Sequence, residues 1–456
     1  MMFRCRWMLF FLATIFSARV VWAETPFRLA TFSVDITIPI GHRCMGILDT
    51  KAQRIDDPLE AKGFVLLGRE APIVFVALDW CEVRNGAYDL WRDTLAAAAK
   101  TTRERVLVCS LHQHDAPVVD TEAQSLLDSV GLVGELFDVA FHRACLKDVA
   151  SALERSIPLS KPITHIATGQ APVEKIASNR RIVHSDGVIR FDRYSRSAID
   201  SAQADASPGE IDPNLKSIAF LSGEETLAVL SSYATHPMSY YGQGGVSADF
   251  VGLARRRRQR DTPNTLQLYA TGCSGDITAG KYNDGSQQAR GELADRLYQG
   301  MVQAAKSFDK TAIEQVRFRR ETYHLPFHEG QQFQRDAMHK VLLDDQANTK
   351  DRILAAMGLA SLNRRERGQP IDLPCLDLGA AQVVILPGES FVGYQLMAQS
   401  IRPESFVMAI GYGECWTGYV PTEQAFQEGF NHDWRWVGRG CEAVLRDKLT
   451  SVLTVR

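Results

Sequence analysis

Short, nearly uninterrupted runs of apolar, β-prone residues alternate with helical patterns along most of this 456-residue chain, and no other feature limits its fold as strongly. A strand with one face in water alternates apolar and polar residues. Ile73 to Leu78, Val106 to Ser110, Leu227 to Tyr233, Leu266 to Ala270, Val383 to Leu386 and Phe406 to Ile410 do not; they are apolar almost throughout. Strands of that kind are covered on both faces. Helical patterns fall at Tyr88 to Lys100, Leu136 to Arg155, Asp249 to Arg260, Gln287 to Ser307, Gln331 to Leu343 and Cys441 to Val452. The expected class is α/β, a mixed central sheet flanked by helices. Ser207 to Pro213, with two prolines and a glycine, reads as a surface loop. No internal repeat, low-complexity tract or long linker is visible.

The first residues read as an address. Arg4 and Arg6 form a basic start, Trp7 to Ile15 an apolar core, and Val21-Trp-Ala23 a cleavage signal before Glu24. That core is shorter than the ~20 residues that span a bilayer, so a signal peptide over residues 1–23 is expected. The mature chain, 24–456, is expected to be one exported domain, secreted or periplasmic, with no transmembrane segment. A net charge of -3, with 23% charged residues, gives no reason to expect nucleic acid as a partner. The run Arg255 to Arg258 sits within a helical pattern and reads as a solvated helix face. Cys5 lies in the signal. The other eight cysteines show no Cys-x-x-Cys pairing, which argues against a cysteine-held zinc, and their disulfide pairing is not readable.

The chemistry lies just beyond the strands. His112-Gln-His114 follows Val106–Leu111, and residues i and i+2 of an extended segment share a face. Two imidazoles aimed together can share a metal, or one can bind it while the other moves protons. Further strand ends supply His236-Pro237, Gly275-Asp276-Ile-Thr278, Pro387-Gly388-Glu389, and Gly411-Tyr-Gly followed by Gly418-Tyr419. Sites of α/β sheets assemble from loops at the carboxyl ends of strands. Two histidines with one carboxylate form a common ligand set for a catalytic zinc, while each loop taken singly is also an ordinary structural turn.

The ordered set of motifs resembles the catalytic domain of the neutral ceramidases, zinc amidases of N-acyl-sphingosine, from about Asp35 to about Thr422. Asp35-Ile-Thr-Ile-Pro-Ile-Gly41, His112-Gln-His-Asp-Ala-Pro117, Asn179-Arg180, His236-Pro-Met-Ser239, Gly275-Asp-Ile-Thr278, Pro387-Gly-Glu389 and Tyr419-Val-Pro-Thr422 are similar to the family's segments in the same order. The resemblance implies Zn2+ held by His112, His236, Glu389 and Tyr419. It implies His114 as general acid/base and Arg180 as a substrate-orienting or oxyanion-stabilising cation. The family's serine nucleophile aligns with Thr278.

Several departures bear on function. Thr278 is β-branched, Ala279-Gly280 replaces the family's Pro-Asn, and no tyrosine follows Tyr419. The chain also leaves no room for the family's C-terminal β-sandwich. The resulting expectation is a zinc-dependent amidohydrolase acting on a small-molecule or lipid amide, an N-acyl and possible sphingoid substrate, with contact to a membrane surface allowed. Shorter soluble N-acyl substrates are expected to be better than membrane ceramide. Water activated at the metal, not Thr278, is expected to be the nucleophile, with Thr278 helping to position it. Two other readings stay open: a zinc esterase acting on a different substrate, and a binding protein that keeps the fold without turnover.

Overall fold

The computed structural model describes residues 26–454. The signal peptide expected over residues 1–23 lies outside them. The α/β class is as expected. The strands are distributed over three mixed sheets, and these share one connectivity. In the first unit Arg28–Asp35, Glu60–Leu67 and Ile73–Leu78 pair antiparallel in turn. The helix Asn85–Ala99 then crosses over to Val106–Ser110, which lies parallel to Ile73–Leu78. The second unit repeats this with His165–Pro172, Asn214–Ser222 and Glu225–Tyr233, the helix Asp249–Asp261 and the strand Leu266–Thr271. The third does so with Arg317–Tyr323, Ile371–Asp377 and Ala381–Ile385, the helix Val392–Ile401 and the strand Phe406–Ile410. In each unit a later helix packs on the crossover helix: Val139–Ser156, Gln287–Lys306 and Cys441–Leu453. The sequence shows no repeat, but the topology has one in three copies.

Packing explains the unbroken apolar runs. Ile73, Phe75 and Ala77 enter a cluster to which all three sheets contribute, with Phe220, Leu268 and Met408 among its members. Their neighbours Val74, Val76 and Leu78 enter a second cluster, against Trp91 and Leu95 of the crossover helix. Phe64 joins two sheets, its ring 5.3 Å from Phe75 and 5.1 Å from Phe220. Each such buried Leu or Phe contributes roughly 1.5–3 kcal/mol relative to exposure. Helix starts follow the capping rule: Asp138 accepts from the amides of Ala140 and Phe141, and Ser286 from that of Ala289.

Two expectations are corrected. Gln331 to Leu343 is not one helix but a 3-10 turn, Gln331–Phe333, followed by the helix Arg335–Leu343. The basic run is not a wholly solvated face. Arg255 is 1% exposed and its guanidinium donates to Asp79 at 2.6 Å and Glu60 at 2.9 Å, so it ties the second unit to the first. The eight cysteines among the described residues are all buried and free. No helix among those residues is long and apolar enough to cross a membrane.

Candidate metal centre

The last strands of the three units end at one place and are tied there in a ring. Ser110 N–H donates to Tyr412 O at 3.0 Å and Gly411 N–H to Thr271 O at 3.0 Å. Thr271 Oγ1 closes the ring by donating to Leu111 O at 2.7 Å. His112 and Tyr412 occupy the equivalent position in the first and third units. Both have a left-handed backbone, with φ of 65° and 59°. That conformation is uncommon outside glycine. It turns the two rings into the same space, where they stack 4.5 Å apart at 16°.

His112, His236 and Glu389 meet at this junction, all three at most 2% exposed. Glu389 Oε2 lies 2.9 Å from His236 Nε2 and 3.3 Å from His112 Nε2. The opposite edges of both rings are committed to carbonyls. His236 Nδ1 donates to Ser274 O at 2.6 Å and Ile277 O at 3.0 Å, and His112 Nδ1 to Cys81 O at 3.2 Å. Carbonyls only accept, so Nδ1 of each ring carries a proton. Burial acts to lower His112, but Glu389 outweighs it and holds this ring above its ordinary range. Burial, with Arg180 adding to it, pulls His236 down to about 4 against the pull of Glu389, so this ring is neutral. Burial acts to raise Glu389, but the two imidazoles outweigh it and hold the carboxyl well below its ordinary range.

The neutral His236 Nε2 and the Glu389 oxygen lie 2.9 Å apart, a pair of atoms that could share a cation. The spacing suits one, because tetrahedral bonds of about 2.0–2.1 Å put ligand atoms roughly 3.3 Å apart. His114 adds a third imidazole whose ligand atom lies within 4.8 Å of those of His112 and His236. His114 is 5% exposed, and neither of its ring nitrogens has a hydrogen-bond partner. Burial first, then the neighbouring imidazoles, lower it well below the ordinary histidine range. Buried polar atoms without partners mark a place for an ion, water or ligand.

Tyr419 pairs in register with Glu389 in a two-residue parallel bridge, which brings the phenol beside the carboxylate. Burial, with Glu389 adding to it, pushes the phenol well above its ordinary value against Arg180. Arg180 is 7% exposed, with its guanidinium 5.7 Å from the centre of the Tyr419 ring. Thr278 behaves differently from the rest. Its hydroxyl accepts from Gly280 N–H at 3.2 Å, within its own turn, and it pairs in register with Ser178. That pairing helps to set Asn179-Arg180, while Ile277 next to it fixes His236.

Sequence reasoning passed over Glu82, which is fully buried with Oε1 3.7 Å from His112 Nδ1. A signal for it existed, since Glu82 follows Leu78 by four residues as Glu389 follows Ile385. It gave no role to Tyr412, whose strand end it had noted and whose hydroxyl meets Ser274 Oγ at 2.7 Å, and it passed over Tyr241, whose ring stands edge-on to His114 at 4.6 Å. Tyr241 also lines a cavity of about 110 Å³ with Ser195, Arg196, Tyr240 and Gln243.

This architecture has been seen before. The fold is that of neutral ceramidase. The crystal structure of neutral ceramidase from Pseudomonas aeruginosa superposes with a TM-score of 0.68 at 14% identity, covering 94% of this chain and 74% of that one. A ceramidase complexed with C2 gives the same TM-score and identity over 94% of this chain and 75% of that one. By sequence, no family model and no curated protein matches the chain.

Proposed function

We propose that this protein is an exported zinc-dependent amidohydrolase that cleaves the amide bond of an N-acyl substrate, with residues 24–456 as one catalytic domain. The observation that supports this best is the buried cluster of His112, His236 and Glu389, in which a neutral His236 Nε2 meets the Glu389 carboxylate at 2.9 Å. The neutral-ceramidase fold supports it.

In this reading His112, His236 and Glu389 hold the metal, and Tyr419 is the fourth ligand. When bound, zinc supplies Lewis acidity toward the substrate carbonyl and toward water. The carbonyls of Ser274, Ile277 and Cys81 keep both imidazoles in the one tautomer that can bind a metal. His114 has both nitrogens unpartnered and is neutral, so it can take a proton from the attacking group and return it to the leaving amine. Arg180 turns a positive charge toward the substrate. Thr278, its hydroxyl committed to Gly280, positions the loop and is not the nucleophile.

The test is a panel of soluble short-chain N-acyl amides and the matching esters, with membrane-presented ceramide, run on metal-loaded protein. We expect amide turnover, with the short soluble amides ahead of ceramide in kcat/KM. Ester-only turnover moves the assignment to a zinc esterase. Metal binding without any turnover makes the chain a binding protein.

A further inference from the structure

Arg180 is left without a partner in a molecule that pairs its other buried arginines. Nine other arginines are buried among the described residues, and each donates at least one hydrogen bond to a carbonyl or carboxylate. Arg84 has Glu82, Arg255 has Asp79, and Arg193 has a set of carbonyls. The guanidinium of Arg180 has no hydrogen bond and no ion pair among those residues, and its buried Nε is unsatisfied. It lies over the face of Tyr419, 5.7 Å from the ring centre.

This orphan is built into the site. The Arg180 amide donates to Asp276 O at 2.7 Å, and its carbonyl accepts from Arg193 N–H at 3.3 Å. Glu389 is the acid whose charge Arg180 feels, without a hydrogen bond between them, and the acids on its own and the adjoining segments are occupied. Asp276 accepts from Asn179 Nδ2 at 2.9 Å and from Val392 N–H at 2.8 Å. Glu428 is taken by the next residue, Arg181, through two bonds of 2.6 and 2.7 Å. A buried, unpaired guanidinium is costly, and its fork of donors matches a carboxylate. The guanidinium stands 5.7 Å from the ring of Tyr419, which pairs in register with Glu389, so a substrate amide held at this centre would bring a carboxylate on its amine half within reach of it.

We propose that Arg180 is completed by a carboxylate on the amine half of the substrate, so that the substrate class is N-acyl amino acids and not N-acyl amino alcohols. This rests on the amidohydrolase reading above. Water adds to the acyl carbon, and the C–N bond breaks with its electron pair going to nitrogen. The nitrogen takes a proton, and the products are a carboxylic acid and a free amino acid. The developing oxyanion is a separate demand on Arg180, and the experiment distinguishes the two. Loss of oxyanion stabilisation lowers turnover of every substrate alike, whereas loss of carboxylate recognition changes selectivity.

Two measurements on the full-length protein test this. The first compares kcat/KM for N-hexanoylglycine and N-hexanoylethanolamine, which differ in the carboxylate. Wild type is expected to prefer the glycine conjugate by ~100-fold or more, because a site built to bond a group rejects the analogue that lacks it. Arg180→Gln should bring the ratio to within about threefold of one, and Arg180→Lys should leave an intermediate preference. The second is calorimetric binding of 4-oxononanoate, an uncleavable isostere, against its primary amide, before and after metal removal by chelation. The carboxylate should bind at least ~10-fold more tightly in wild type and no more tightly in Arg180→Gln. Equal handling of acid and neutral partner by wild type, or a preference that survives Arg180→Gln, overturns the inference. Arg180-dependent binding of the carboxylate with neither conjugate hydrolysed would support it and overturn the amidohydrolase reading.

Discussion

Glu82 and Glu389 follow the same strand of their units at the same distance, and both are almost fully buried, at 0% and 1% exposure. Their surroundings differ in one respect. Glu82 receives Arg84 Nη1 at 2.7 Å and the Trp434 indole N–H at 3.0 Å, so the protein supplies its cation. Glu389 faces the Nε2 atoms of two imidazoles at 2.9 and 3.3 Å and no arginine or lysine ion pair among the described residues. A buried carboxylate is tolerable only when paired or metal-bound. The first unit closes its charge internally, while in the proposed reading the third leaves its charge for a metal. The comparison separates a structural carboxylate from a functional one at equivalent positions.

The largest effect should come from the open side. Glu389→Gln, His112→Ala and His236→Ala should each strip the metal and lower turnover by on the order of 10⁴-fold or more, read by metal analysis beside kinetics. Turnover that survives metal loss in any of the three would erase the distinction between the two glutamates. His114→Ala sharpens it, because it should keep the metal and still lose ~10²–10⁴-fold in kcat. Equal metal loss in this variant would make His114 a ligand. On the closed side, Glu82→Gln removes one of the two carboxylates beside the buried Arg84, leaving Asp120, and should cost about 1–3 kcal/mol of stability in denaturant titration. The folded protein should keep its metal, and metal loss without destabilisation would show that Glu82 is itself a ligand. The smallest effect is expected from Thr278→Ala, below the ~100-fold loss that removal of a covalent nucleophile would bring. Abolished turnover with zinc still bound would restore Thr278 as the nucleophile.

The sequence was most legible where one physical demand acts on consecutive residues. Ile73 to Leu78 and Phe406 to Ile410 are covered on both faces, and their limits match the structure. Strands that carry polar or flexible residues were missed. Glu60–Leu67 holds Lys62 and Gly63, both buried, and His165–Pro172 contains a glycine and ends in proline. Lys62 is tolerated because Glu60 lies 2.9 Å away, a compensation that periodicity cannot show. Thr349–Glu366 was missed because it is buried on most of its circumference and has no polar stripe to betray it. The threefold topology leaves no trace in the sequence, since equivalent positions need only be apolar.

Within the site, His112, His114, His236, Glu389, Tyr419 and Arg180 could be named from strand ends and motif order, and the fold brings them together. Thr278 was named from a strand end too, its place as the family's nucleophile from the resemblance alone, and its hydroxyl accepts a hydrogen bond within its own turn. Tyr412 and Tyr241 act through ring contacts across units, and these depend on left-handed turns and loop paths that residue types do not encode.

The central claim is that Glu389, unlike Glu82, is completed by a metal ion. The most direct measurement is zinc content per chain, by elemental analysis, in wild type, Glu389→Gln and Glu82→Gln purified from zinc-replete cultures. About one zinc in wild type and in folded Glu82→Gln, with none in Glu389→Gln, is the predicted result for a single-site centre. Metal-free wild type, or zinc retained in Glu389→Gln, would contradict the account.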